Sequence, residues 1–356
     1  MNRKARKVSA MTWLLGVTIV TQAIAQDQAK TSVGGFVDVY YAYSLQSHPL
    51  RNRSYTTQPL RINEFNLNLG FIDVKHQTDN IRGRFALQTG TYVEANQAAE
   101  PALLKNVLEA SVGSRFGSNV WVDIGIFPSH IGLEGIVSKD NWTYSRSLLS
   151  DYSPFYEAGV SVTATPSENV TLRGLILNGW QNISETNDDK AFGTQLQYKP
   201  SDDLQLNWSS FVGNEQPDSV ASRLRIFNDL YGVLSLSPGW SLAIIFDFGF
   251  QKQASGSSYD LWHASSIMSR HTLNDQWAIA ARVEYFSDEQ GVLVPTGTPN
   301  NFLTVSGSLN VDYAPAANLL WRIEGRLFNS KDAVYPTDTG MEKTDGFIAL
   351  SAAMSL

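Results

Sequence analysis

The chain has no cysteine among its 356 residues. Disulfides and thiolate metal sites are therefore excluded. Histidine is scarce: His48, His76, His130, His263 and His271. No two of them stand at ligand spacing such as H-x-x-x-H, so no metal site is expected. No glycine-rich phosphate loop precedes a helix, and no cofactor is called for. Positive charge is also short, with 27 Lys and Arg against 34 Asp and Glu. An acidic balance argues against a nucleic-acid partner. After the first residues there is no long apolar run, so no transmembrane helix is expected. Length alone would allow two or three soluble domains, yet no linker, charge block or low-complexity stretch divides them.

The beginning reads as a secretory signal. Arg3, Lys4, Arg6 and Lys7 are basic, residues 10–20 are apolar, and Ala23-Ile24-Ala25 is a small-x-small cleavage site before Gln26. The apolar run is short for a membrane anchor, which needs ~20 residues. The expected division is a signal peptide over 1–25 and one folded unit over 26–356. Without the four leading bases the charge is about −11. Mean hydropathy is slightly negative despite many aromatics. That value rules out a helical membrane bundle but not a barrel, where half of each strand faces water.

From Val33 onward, segments of about ten residues alternate apolar and polar between turn signals. In Glu64 to Phe71, the residues Phe65, Leu67, Leu69 and Phe71 share one face. Val120, Val122, Ile124 and Ile126 do the same. So do Leu319, Trp321, Ile323, Gly325 and Leu327, opposite Arg322, Glu324 and Arg326. A soluble sandwich also alternates. Three features favour a membrane barrel. Wet faces carry charges two residues apart: Arg82 with Arg84, Arg223 with Arg225, Arg282 with Glu284, and Arg322 with Glu324 and Arg326. Aromatics gather at strand ends, as in Tyr40, Tyr41 and Tyr43, Trp180, Tyr198, Trp208, Trp240, Trp277 and Tyr313, which suits interfacial girdles. And short turns alternate with long polar loops.

The short turns are Gln77–Asn80, Phe116–Asn119, Pro166–Asn169, Pro200–Asp203, Ser237–Gly239, Leu273–Asp275 and Pro315–Asn318. Such turns between long external loops imply about 16 antiparallel strands with both termini periplasmic. A propeller shares the repeat length but would show a fixed internal signature. A barrel this wide holds an aqueous channel.

The third long loop, residues 128–157, is the longest connection. Its segments 129–137 and 142–149 are too apolar for disorder and need somewhere to bury. We expect it to fold into the lumen; an external cap is the alternative. The expected pore-lining or constriction residues are Arg82, Arg84, Glu134, Asp140, Arg146, Arg225, Arg282, Arg322, Glu324 and Arg326, with Lys139 beside them. Facing rows of charge would orient a polar solute. The same charges could instead simply pair across strands and hold the wall together.

Several residues resemble the OmpL-like β-barrel porin family. Gly34-Gly35-Phe36-Val37-Asp38-Val39-Tyr40-Tyr41 is similar to its first strand. The fullest match is Gly125-Ile126-Phe127-Pro128-Ser129-His130-Ile131-Gly132-Leu133-Glu134, then Asp140-Asn141, Ser145-Arg146-Ser147, Pro154 and Gly159. Leu177-Asn178-Gly179-Trp180 is similar to a strand-ending motif of the family. The resemblance spans nearly the whole chain after residue 25, and its middle third is the specific part. It implies transport and leaves the solute open. One departure is the ending Ala353-Met354-Ser355-Leu356, where many outer-membrane barrels end in Phe.

The expected function is a passive outer-membrane diffusion channel for small hydrophilic solutes or ions, with lipid around it and no catalytic step. A homotrimer is one state open to it, with no surface patch assigned. The rival readings are a closed-lumen adhesin or scaffold and an outer-membrane hydrolase using His263 with Asp260 and a nearby serine.

Overall fold

The computed structural model describes residues 29–356. The expected signal peptide lies outside the described residues. Alternation becomes strand throughout: β1 (Lys30–Ser44), β2 (Phe65–Gln77), β3 (Ile81–Thr89), β4 (Val107–Phe116), β5 (Val120–Pro128), β6 (Tyr156–Ser167), β7 (Val170–Leu177), β8 (Ala191–Ser201), β9 (Leu204–Asn214), β10 (Leu224–Ser237), β11 (Trp240–Lys252), β12 (Tyr259–Thr272), β13 (Trp277–Asp288), β14 (Phe302–Ala316), β15 (Leu319–Ser330) and β18 (Thr344–Ser355). A small hairpin, β16 (Tyr335–Thr337) and β17 (Gly340–Glu342), decorates the last loop.

Each barrel strand pairs antiparallel with its neighbours in sequence, and β1 closes the sheet against β18. That is a closed barrel of 16 strands, as the turn pattern requires. Each expected short turn joins two consecutive strands. No helix among the described residues is long and apolar enough to cross a membrane. Closure pairs every strand edge, which lets strands cross a bilayer without orphaned backbone groups.

The outward face is oily. Val33 is 72%, Val112 63% and Leu309 66% exposed. An apolar side chain left in water forgoes about 1.5–3 kcal/mol of burial, so a belt of them marks a lipid contact. Trp240, Trp277 and Trp321 stand outward near the turn end of their strands. Trp277 packs on its cross-strand partner Tyr313 with ring centroids 4.6 Å apart, as an interfacial girdle should.

One face assignment is corrected. Phe65, Leu67, Leu69 and Phe71 do not share a face. The pairing of β1 with β2 shifts, so that Asp38 opposes Leu69 while Val39 opposes Leu67, which leaves Asn68 as an extra residue. A bulge of one residue moves the rest of the strand's side chains to the opposite face. Phe65 therefore faces out, Leu69 and Phe71 face in, and Ile72 and Val74 take over the outer belt. The Asn68 amide donates to the Asp38 carboxylate at 2.7 Å, which ties the bulge to β1.

Candidate functional site: the third loop and the charged cavities beside it

The third loop, residues 129–155, leaves β5 and crosses to the far wall. Its apolar residues Ile131, Tyr144, Leu148 and Leu149 are buried. Two glycines open its root. Gly125 at φ +131° faces Gly159 across the β5–β6 pair, and a Cβ on Gly125 would collide with the Ala110 carbonyl.

At the stem, the His130 ring is held between Glu157 and the Ser210 carbonyl, both at 2.9 Å. Gln195 and Ser209 donate to the His130 carbonyl. A carbonyl only accepts, so Nε2 carries a proton, and protonated Nδ1 would donate to Glu157. Burial opposes a charged ring, but the Glu157 carboxylate and its hydrogen bond outweigh burial and hold the His130 pKa above its ordinary value. A raised folded-state pKa stabilises below the unfolded value, and that contribution is lost as pH rises through the folded value. The melting temperature of the folded barrel should therefore step down as pH climbs through that window. His130→Gln should flatten the step; an unchanged profile would remove His130 from the stem lock.

Farther along, the loop meets an inward arginine row. Arg282 donates to Thr143 Oγ1 at 2.8 Å, the Ser145 carbonyl at 2.7 Å and Ser145 Oγ at 2.9 Å. It also ion-pairs with Glu134, Glu284 and Glu324. Arg322 bonds Asp312 and the carbonyls of Ser138, Asn141 and Thr143. Arg326 bonds Glu284, Ser145 Oγ and the Arg146 carbonyl. Glu324 accepts from the Ser145 backbone at 2.6 Å, and Glu284 from Leu148 at 2.7 Å. Arg146 pairs with Asp151 and lies 3.7 Å from the Phe155 ring centroid. The loop tip descends until Lys139 donates to the Ala317 carbonyl, in the short turn between β14 and β15.

The remaining space lies on the opposite side, against β2 to β7. One cavity of about 370 Å³ is lined by Lys75, Arg82, Arg84, Glu109, Asp123 and Arg173, among others. A second of about 250 Å³ adjoins it and shares Arg84, Pro128 and Ser129; Glu134 and Asp140 also line it. Arg82 grips Asp123 at 2.7 and 2.5 Å. Arg84 bridges Asp73 and Glu109 at 2.8 and 2.7 Å.

The family model described as "Putative beta-barrel porin-2, OmpL-like" matches residues 30–356. The chain belongs to this porin family. Among solved structures, the chain is similar to the anion-selective porin from Comamonas acidovorans, with 8% identity, a TM-score of 0.62, and coverage of 92% of this chain and 100% of that one. It is also similar to the outer-membrane channel DcaP of Acinetobacter baumannii, with 11% identity, a TM-score of 0.61, and coverage of 92% and 97%. OmpT of Vibrio cholerae gives 8% identity, a TM-score of 0.62, and coverage of 94% and 99%. No curated protein matches the sequence. Family and fold together make the chain an outer-membrane channel.

In this porin-family barrel the expected site residues fall into distinct places. Arg82, 37% exposed, and Arg84, 24% exposed, face the cavities with the exposed Asp140. Arg146, Arg282, Arg322, Glu324 and Arg326 differ from the expectation of groups facing water. The four wall residues are buried because the loop lands on them, and Arg146 is buried within the loop itself. Glu134 belongs to both places, bonded to Ser147 and Arg282 yet lining the smaller cavity. Arg225 stands apart, bonded to Gln251 beside Trp180 and Trp262. Residues missed at first are Asp38, Lys75, Asp123 and Arg173. Asp123 and Arg173 are each the single charge of an otherwise apolar or neutral strand, and that is the signal that finds them; Asp38 and Lys75 share their strands with Lys30 and Asp73. His263 shows no hydrogen bond to a serine or aspartate among the described residues; its ring packs 5.7 Å from Tyr285.

Proposed function

We propose that the chain is a passive diffusion channel for small hydrophilic solutes or ions, with the third loop as its constriction. A signal peptide directs export and is removed near Ala25, and no chemical step takes place. The observation that carries this reading is the pair of adjoining charged cavities left between the loop and β2 to β7. Most of the charges that line the larger one are held in ion pairs across strands. A solute passing alongside the Arg82–Asp123 and Arg84–Glu109 ion pairs meets a charged wall that favours a polar molecule over an apolar one. Membership of the porin family supports the non-enzymatic reading over the hydrolase. The trimeric form recorded for OmpT of Vibrio cholerae supports a homotrimer here.

One observation favours a second reading. The loop reaches from the outer rim down to the Ala317 turn, which suits a sealed lumen and an adhesin or scaffold role. Liposome swelling separates the two. A channel admits small sugars into proteoliposomes; a sealed barrel leaves them osmotically intact.

Arg82→Gln with Arg84→Gln tests the path itself. The double change leaves Asp73, Glu109 and Asp123 facing Lys75 and Arg173. Reversal potentials in a salt gradient should move toward cations, while the barrel still folds. Unmoved potentials would put these side chains off the limiting part of the path.

A further inference from the structure

The larger cavity is lined by more cations than carboxylates, and one of those cations makes no contact ion pair among the described residues. Lys75 and Arg84 share Asp73, Arg84 also holds Glu109, and Arg82 holds Asp123. Four cations thus face three carboxylates, counting Arg173 on β7. Among the described residues, no carboxylate lies within ion-pair distance of Arg173. Its Nε and Nη2 both turn to the single Ser161 hydroxyl, at 3.3 and 3.2 Å. Glu157 and Asp123 act on Arg173 only from beyond ion-pair distance, and a single hydroxyl leaves part of its five-donor guanidinium unused. Its planar fork matches the two oxygens of a carboxylate or phosphate. The chain as a whole is acidic, so this local surplus runs against the average.

We propose that Arg173 is the binding subsite for small oxyanions, and that it makes the path anion-preferring. The inference rests on the diffusion-channel reading and names its solute class: compact carboxylates and inorganic phosphate. An entering oxyanion receives the fork of Arg173 while Arg82 and Arg84 remain tied to their own carboxylates. Binding is weak by construction, since Ser161 and water replace the solute when it leaves. That suits conduction, which needs entry and release.

The test is reversal potential in a KCl gradient at low salt, with the purified full barrel in a planar bilayer. The wild type should favour chloride over potassium. A unit charge about 6 Å from an ion in a water-like medium changes local ion density roughly threefold. Arg173→Gln should therefore lower the anion-to-cation ratio by about threefold or more, and Arg173→Lys should restore most of it. Arg115→Gln, at the turn end of β4 and outside the cavity, should change nothing. Cation preference in the wild type, or an unchanged ratio in Arg173→Gln, overturns the proposal. If the folded barrel gives no current, the channel reading fails by itself. Calorimetric titration with inorganic phosphate then decides the subsite. Saturable binding that Arg173→Gln abolishes upholds it, and no binding in the wild type overturns it.

Discussion

Replacing Arg282 by Met should release the third loop from the wall. The guanidinium meets Glu134, Glu284 and Glu324 and donates to Thr143 and Ser145. Three of these bonds go to the loop itself. Removing one partner from a buried ion network typically costs about 3–5 kcal/mol, because the charges left behind stay dry and unpaired. Here Arg326 alone would remain to face Glu284, with Glu324 left to Ser145. The barrel wall has its own hydrogen-bond ladder and should survive. The cheapest response is for the loop to lift and let water reach the carboxylates. Expected results are a lower unfolding temperature and a conductance that is larger and noisier than the wild type. An unchanged melting curve and unchanged current would show that the arginine row does not fasten the loop.

A single introduced thiol should map the open path. The chain has no cysteine, so any cysteine placed in it is the sole thiol. Ser111 lines the larger cavity and bonds only Glu109 through its side chain. Ser111→Cys should react with a charged methanethiosulfonate and lose a large part of its conductance in one step per channel. Ser306, buried beneath Arg326 on the loop side, is the comparison. Ser306→Cys should resist the same reagent, because thiol reactivity requires access as well as ionisation. The reverse pattern would move the water path to the β14–β15 side.

The two arginine sites show why part of this molecule is legible in sequence and part is not. Arg82 and Arg84 sit two apart on β3, and Arg322, Glu324 and Arg326 sit two apart on β15. Alternation tells that all of them face inward, and it does so correctly. It does not tell which stretch of wall a loop of 27 residues will cover. That depends on where Glu134, Ser145 and Leu148 find partners, and those partners lie well over a hundred residues away. The apolar runs of the third loop did announce that it packs inside something. The bulge at Asn68 was hidden for a different reason. Its extra residue bonds the buried carboxylate of Asp38 on the adjacent strand, a partner that the local pattern of β2 does not reveal. Strand number, by contrast, was fully readable, because short turns depend on local chemistry alone.

The most direct test of the central claim is single-channel conductance of the detergent-purified, folded barrel in a planar lipid bilayer. An open path beside the third loop predicts discrete, ohmic current steps, smaller than those of the Arg282→Met variant. A verified folded barrel that carries no current, while Arg282→Met carries a large one, would contradict the open path and make the third loop a seal.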